Sequence, residues 1–179
     1  MIAIVGSGMM AATLLPNDVG LQLLQNAAAV AGALIGLIIT FASVSGAHFN
    51  PAVTLVDRLM RDITTREAAR YVVAQLGGGL VGVMVANIMF WDEAGGGVIT
   101  ISAQDRGGAP HLLSEVVATI GLLLVVHGAV HYGKADVVAL AVGVWIGGAI
   151  FFTSSTSFVN PAVTMNRMFS DTFTGIGRG

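Results

Sequence analysis

Long apolar runs alternate with short polar breaks along this chain, and most runs are long enough to be measured against a membrane rather than a soluble core. Residues 1–15 read as the back half of a helix, short of the roughly 20 residues a span needs, and Pro16-Asn17-Asp18 stops it with turn chemistry. Val19 to Phe41 reads as a full span, Thr65 to Trp91 as another, His111 to Tyr132 as a third and Val137 to Phe152 as a fourth. Thr64 with Glu67 forms a capping box that opens the second of these. Two shorter segments break the pattern. Ser43 to Phe49 and Thr153 to Val159 are non-helical approaches, and each leads into a stretch of about ten residues, Pro51 to Met60 and Pro161 to Ser170, that can form a helix. Such a helix covers about 15 Å, half of a hydrocarbon core.

Polar residues inside the runs sharpen this reading. Gln22, Asn26 and Val30 recur every four residues, so they share a helix face that is either a polar packing seam or a water-facing stripe. Ala74, Gly78, Gly82 and Ala86 also fall at steps of four, the pattern of closely packed membrane helices. Glu115 lies within a span, where an ionisable residue suggests function; the satisfaction of irregular backbone favours instead a carboxylate that accepts hydrogen bonds. His127 and His131 share a face but have no evident third ligand, so no metal is expected. The remainder, Asp92 to Pro110, is a polar, glycine-rich loop.

Composition agrees with the pattern: 55% of residues are hydrophobic and only 10% charged, with a mean hydropathy of +0.83. Soluble domains carry about 25% charged residues, so an all-α integral membrane protein is the expected class. A net charge of −2 gives no footprint for nucleic acid, and zero cysteines exclude disulfides and thiol nucleophiles. No nucleophile–base pair or metal trio suggests an enzyme, and no cofactor is implied. Arg58, Arg61, Arg66, Arg70 and Lys134 fall on one side of the layout, against Arg106, Arg167 and Arg178 on the other, which puts the loop after the first half-helix in the cytoplasm.

The most specific signal is a repeat. Asn50-Pro51-Ala52-Val53-Thr54 returns unchanged as Asn160-Pro161-Ala162-Val163-Thr164. Asn caps free N–H groups at a helix start, and Pro at the first helical position has no N–H to lose. The two copies follow spans of opposite direction, so the half-helices are inverted and their positive ends can meet near the midplane. Asn50 and Asn160 would each cap a helix and offer an N–H to a solute. The approaches Gly46-Ala47-His48 and Thr156-Ser157-Phe158 would supply backbone carbonyls, tolerated at membrane depth only along a water-filled cavity. The expected result is a pore for small neutral solutes.

At these residues the chain resembles the aquaporin, or major intrinsic protein, family: Ser45 to Thr54, the second Asn-Pro-Ala, Glu115 in one span and Gln75 in another. The resemblance implies an inverted repeat of six spans, two half-helices meeting at the asparagines, a lipid-embedded homotetramer and one pore per subunit. It also implies structural roles for Glu115 and Gln75. The halves would be residues 1–91 and 111–179, joined by the loop 92–110 in a single domain. Two departures stand out. The arginine that usually follows the second motif is Val163 here, and the other filter positions carry over by spacing to Val30, Gly148 and Ser157, none aromatic or charged. The filter should therefore be wide and weakly polar, suited to glycerol-like or metalloid solutes. The tail Ser170-Asp171-Thr172-Phe173 is similar to the bacterial branch associated with arsenic-resistance genes, so neutral arsenous acid is a candidate solute and a bacterial inner membrane the candidate location. Arg167, one turn beyond Val163, could bring a positive charge to the outer vestibule, but a helix-end charge near solvent is the favoured reading. The second departure is length: the family's matching first-span glutamate would precede Met1 and the sixth span would follow Gly179, so the chain reads as a fragment or truncated product. The alternative function is accordingly a non-conducting membrane fragment.

Overall fold

In a computed structural model that describes residues 1–105 and 107–177, the chain is all-helical, with no strand among the described residues. Arg106 and Arg178, two of the charges used above to orient the chain, lie outside the described residues. The helices are α1 (Ile2–Leu14), α2 (Val19–Ser45), α3 (Pro51–Met60), α4 (Thr65–Met89), α5 (Ala109–His131), α6 (Val138–Phe152) and α7 (Pro161–Arg167), with a 3₁₀ turn at Ala135–Val137 before α6. Four of the described helices, α2, α4, α5 and α6 with its 3₁₀ lead-in, are long and apolar enough to cross a membrane. Large apolar side chains such as Val73 and Leu124 stand exposed along them. Lipid, not water, is the solvent those faces suit.

Local chemistry sets the helix ends. Asp18 accepts from the Leu21 amide at 2.9 Å and opens α2. Thr64 and Glu67 close their capping box at the start of α4, with Glu67 Oε2 2.8 Å from the Thr64 amide. α2 runs past Phe41 to Ser45, because nothing breaks it until Gly46 turns left-handed at φ +66°. α7 is shorter than its sequence suggests and ends at Arg167. Just beyond it the carbonyls of Met168 and Phe169 accept from the amides of Ser102 and Thr100, and so leave the helix for the long loop.

Close approaches hold the bundle together. α2 packs on α6, where a Cβ on Gly143 would come within 2.3 Å of Ile35. On the other side of α6, Trp145 fills the space left by Gly121 of α5 and donates to the Ala118 carbonyl at 3.1 Å. α1 packs on α4 through Val5, Met9, Val83 and Ala86. The four-residue stripe of α4 splits: Gly82 meets Met1 and Ala86 is buried, whereas Ala74 and Gly78 are exposed. It is Gly79, one residue on, that admits Asn166 of α7. Helical phase explains the shift, since α4 turns its contact face gradually from α7 to α1 along its length. The result is a bundle in which α3 and α7 touch each other, with the asparagine at the start of each reaching the approach to the other.

Candidate functional site

Each letter of the repeated motif has a mechanical use. Asn50 Oδ1 accepts from the Ala52 amide at 2.8 Å; Asn160 Oδ1 accepts from Ala162 at 3.0 Å and from Val163 at 3.3 Å. Pro51 and Pro161 occupy the first helical positions of α3 and α7. The threonines return a bond to the asparagine carbonyls, Thr54 at 3.1 Å and Thr164 at 3.2 Å. Val53 and Val163 line a cavity between the half-helices, as do Asn50 and Asn160; the prolines and alanines do not.

The two asparagines are also crossed. Asn50 Nδ2 donates to the Val159 carbonyl at 2.7 Å, and Asn160 Nδ2 donates to the Phe49 carbonyl at 2.8 Å. Each amide thus caps its own helix with its oxygen and ties down the approach to the other helix with its nitrogen. A primary amide carries two protons on nitrogen, so one N–H of each pair is left for a guest in the cavity.

The approaches bend through left-handed backbone. Ala47 follows Gly46 at φ +51°, and Thr156, Ser157 and Val159 lie at φ +61°, +56° and +49°. For branched residues this is a costly region, about 1–3 kcal/mol each, and the surroundings must over-determine it. Glu115 does so for the second approach: one carboxylate oxygen accepts from the Phe158 amide at 2.9 Å and from the Ser155 hydroxyl, the other from the Val159 amide at 2.5 Å. Those N–H groups are drawn away from the cavity, which Thr156, Ser157 and Phe158 line. Gln75 serves the first approach, donating to the His48 carbonyl and to Thr54 Oγ1 at 3.0 Å.

Several candidate positions sit differently from their sequence assignment. Gly46 and Ala47 line the cavity, but His48 does not: its carbonyl is taken by Gln75, and its ring stacks on Tyr71 and meets Asp57 at 2.8 Å. Gly148 faces outward from α6, and Ile146 and Ile150 line the cavity instead, because residues four apart share a helix face and the residue midway points elsewhere. Val30, Ser157 and Val163 do line it. Ser157 Oγ is buried with no hydrogen-bond partner among the described residues. Arg167 is not a solvated helix-end charge; it is buried, borders the cavity, lies 4.8 Å from the Phe158 ring centroid and donates through Nε to the Thr174 carbonyl.

The polar stripe of α2 divides between its two readings. Gln22 donates to the Leu15 carbonyl at 2.6 Å and is a packing residue, Val30 lines the cavity, and Asn26 does both. His127 lies 3.7 Å from the other Asp57 oxygen, so α3 and α5 meet at a small polar cluster that the separate histidines did not announce. Asp57 lies outside the four spans; burial raises its carboxyl above the ordinary range, against the pull of the two imidazoles. Asn87 was also not singled out by sequence, yet it clasps Val98 and Phe169 and accepts from Ser170.

The cavity offers about 190 Å³ to water centres. At roughly 10–15 Å³ per water in that measure, it holds a cluster or file and not a single molecule. Two inverted half-helices with crossed asparagine caps at such a cavity agree with a sequence comparison in which the model for the major intrinsic proteins matches residues 1–167. The chain belongs to the major intrinsic protein family. Members of this family are channels, which gives the cavity its context. Among its relatives, aquaglyceroporin AqpS of Rhizobium meliloti (strain 1021) is 40% identical over 177 residues, which are 99% of this chain and 73% of that protein. Aquaporin-8 of Rattus norvegicus is 36% identical over 120 residues, 64% of this chain and 45% of that protein. Probable aquaporin AqpM of Archaeoglobus fulgidus is 30% identical over 159 residues, 83% and 63% respectively. The major intrinsic protein match thus runs through both motifs and ends at Arg167, the last residue of α7.

Proposed function

We propose that the chain is a passive channel for small neutral solutes, with Asn50 and Asn160 as its central constriction. The observation that carries this reading is the crossed pair of asparagine caps at the cavity, each with an N–H to spare. Two helix N-termini aimed at one place disfavour cations there, and the paired donors suit an oxygen atom. Selection by size falls to Val30, Ser157 and Val163, with Ile150 in place of Gly148 on the α6 side. These side chains leave a wide, weakly polar passage that suits water, glycerol-like polyols and neutral metalloid acids such as arsenous acid. The printed name of the Rhizobium relative, an aquaglyceroporin, supports the polyol part of this reading. The setting we infer is a bacterial inner membrane, with a homotetrameric assembly and the α3–α4 loop in the cytoplasm. Residues 1–91 and 111–179 are the two halves of one domain.

Stopped-flow swelling of proteoliposomes containing the purified chain tests the proposal. Water and glycerol permeability above that of empty liposomes is the expected result, and Val163→Arg should lower glycerol flux more than water flux. Flux no greater than in empty liposomes would favour a non-conducting membrane fragment. An equal loss for both solutes in Val163→Arg would remove position 163 from the filter.

A further inference from the structure

Asn26 is tied on one side and open on the other. It is 6% exposed, and its Nδ2 donates to the Ile4 carbonyl at 2.9 Å and to Ser7 Oγ at 2.8 Å. The Ser7 hydroxyl spends its own proton on the Ala3 carbonyl at 2.5 Å, so toward Asn26 it can only accept. Both acceptors on α1 therefore demand the nitrogen, which fixes the amide orientation by chemistry. Both amide protons are used, and Oδ1 is the one polar atom of the side chain with no partner among the described residues. The same side chain lines the cavity, one helical turn from Val30. Its neighbours on the lining, Ile4, Val30 and Ile150, are apolar.

An acceptor held in an apolar wall is selective for solutes that bring a hydroxyl. We propose that Asn26 is a specificity-determining residue of the channel, whose Oδ1 accepts a hydrogen bond from a hydroxyl of a polyol or neutral oxyacid. This deepens the channel reading and rests on it. The chemical logic is a division of labour. Asn50 and Asn160 offer donors to a solute oxygen at the centre, and Asn26 offers an acceptor to a solute O–H elsewhere along the wall. A molecule with several hydroxyls can use both at once. A water molecule, small enough to turn and to bond to its neighbours in a file, depends less on any one wall acceptor. Gln22 provides the contrast: it makes the same kind of tether from the same helix face, to Leu15, but does not line the cavity.

The experiment compares glycerol and water permeability in proteoliposomes for the unaltered chain, Asn26→Leu, Asn26→Val and Gln22→Leu. Losing one neutral hydrogen bond along the path should reduce the glycerol-to-water flux ratio about two- to tenfold in Asn26→Leu. Asn26→Val removes the same acceptor and brings no hydroxyl in its place, so it should show the same fall if the leucine variant does not fold. Gln22→Leu should keep the original ratio. A glycerol-to-water ratio unchanged in the folded Asn26 variant, or an equal change in Gln22→Leu, would overturn the proposal while leaving the channel reading in place. Absence of flux in the unaltered chain would overturn both.

Discussion

The two approaches to the asparagines solve one problem with opposite chemistry. On the second approach, Glu115 collects N–H groups from the backbone and a hydroxyl from Ser155. On the first, Gln75 gives an N–H to the His48 carbonyl and another bond to Thr54. A carboxylate that takes up donors leaves the carbonyls of its segment to be directed elsewhere, whereas an amide that serves a carbonyl removes that carbonyl from the cavity. The cavity is accordingly lined by all three of Thr156, Ser157 and Phe158 on one side, and by Gly46 and Ala47 but not His48 on the other. The strain differs in step. Three non-glycine residues sit in left-handed backbone beside Glu115, and one, Ala47, beside Gln75. A repeated motif can therefore be identical in letters while its two supports differ in charge, polarity and the strain they restrain.

Removing the supports should widen this difference. Glu115→Leu strips the shared acceptor from two buried backbone amides and a hydroxyl, and breaking a buried charged network from one side should cost roughly 3–5 kcal/mol. Gln75→Leu should cost about 1–2 kcal/mol. Thermal unfolding in detergent micelles reads both; comparable losses would mean that the two supports carry equal weight.

The asparagines, by contrast, should behave alike. Asn50→Ala and Asn160→Ala each lose a cap and a crossed bond, about 2 kcal/mol together. The double variant should lose less than the sum by at least about 0.5 kcal/mol, because each crossed bond steadies the approach to the other cap. Strict additivity in the same unfolding assay would show that the two ties act independently.

The smallest effects belong to the threonines. Thr54 is fully buried and also accepts from Gln75, whereas Thr164 is partly exposed and, among the described residues, has only its own back-bond. Thr54→Val should cost about 1–2 kcal/mol and Thr164→Val about 0.5 kcal/mol or less. Equal costs would place the weight of Thr54 on its back-bond and not on Gln75.

What the sequence revealed most directly was chemistry confined to a few neighbouring residues. The Asn-Pro start of each half-helix, the Thr64–Glu67 box and the extent of α3 all depend on side chains reaching one to four positions along the chain. Features set by distant partners were hidden. α7 stops at Arg167 because the loop around Thr100 and Ser102 captures the next carbonyls, and no glycine or proline marks the place. Arg167 is buried because Phe158 and the tail at Thr174 enclose it, which a helical wheel cannot show. Gly148 was placed by counting residues from Asn160, but the phase of α6 turns Ile146 and Ile150 to the cavity. Asn26 stood in the right stripe, yet only the path of α1 past it revealed which of its atoms is spent.

The crossed amides also place a delay in the making of the protein. The partners Asn50 and Val159 are 109 residues apart, and Asn160 and Phe49 are 111 apart. At a synthesis rate of about 5–20 residues per second, the nascent chain passes on the order of 5–20 s with Asn50 already emerged and its acceptor not yet made. During that interval the Asn50 amide lacks the Val159 carbonyl that it holds in the finished fold. The two half-helices can therefore be tied together only once both motifs have been made, so the tie belongs to the late part of the chain's production.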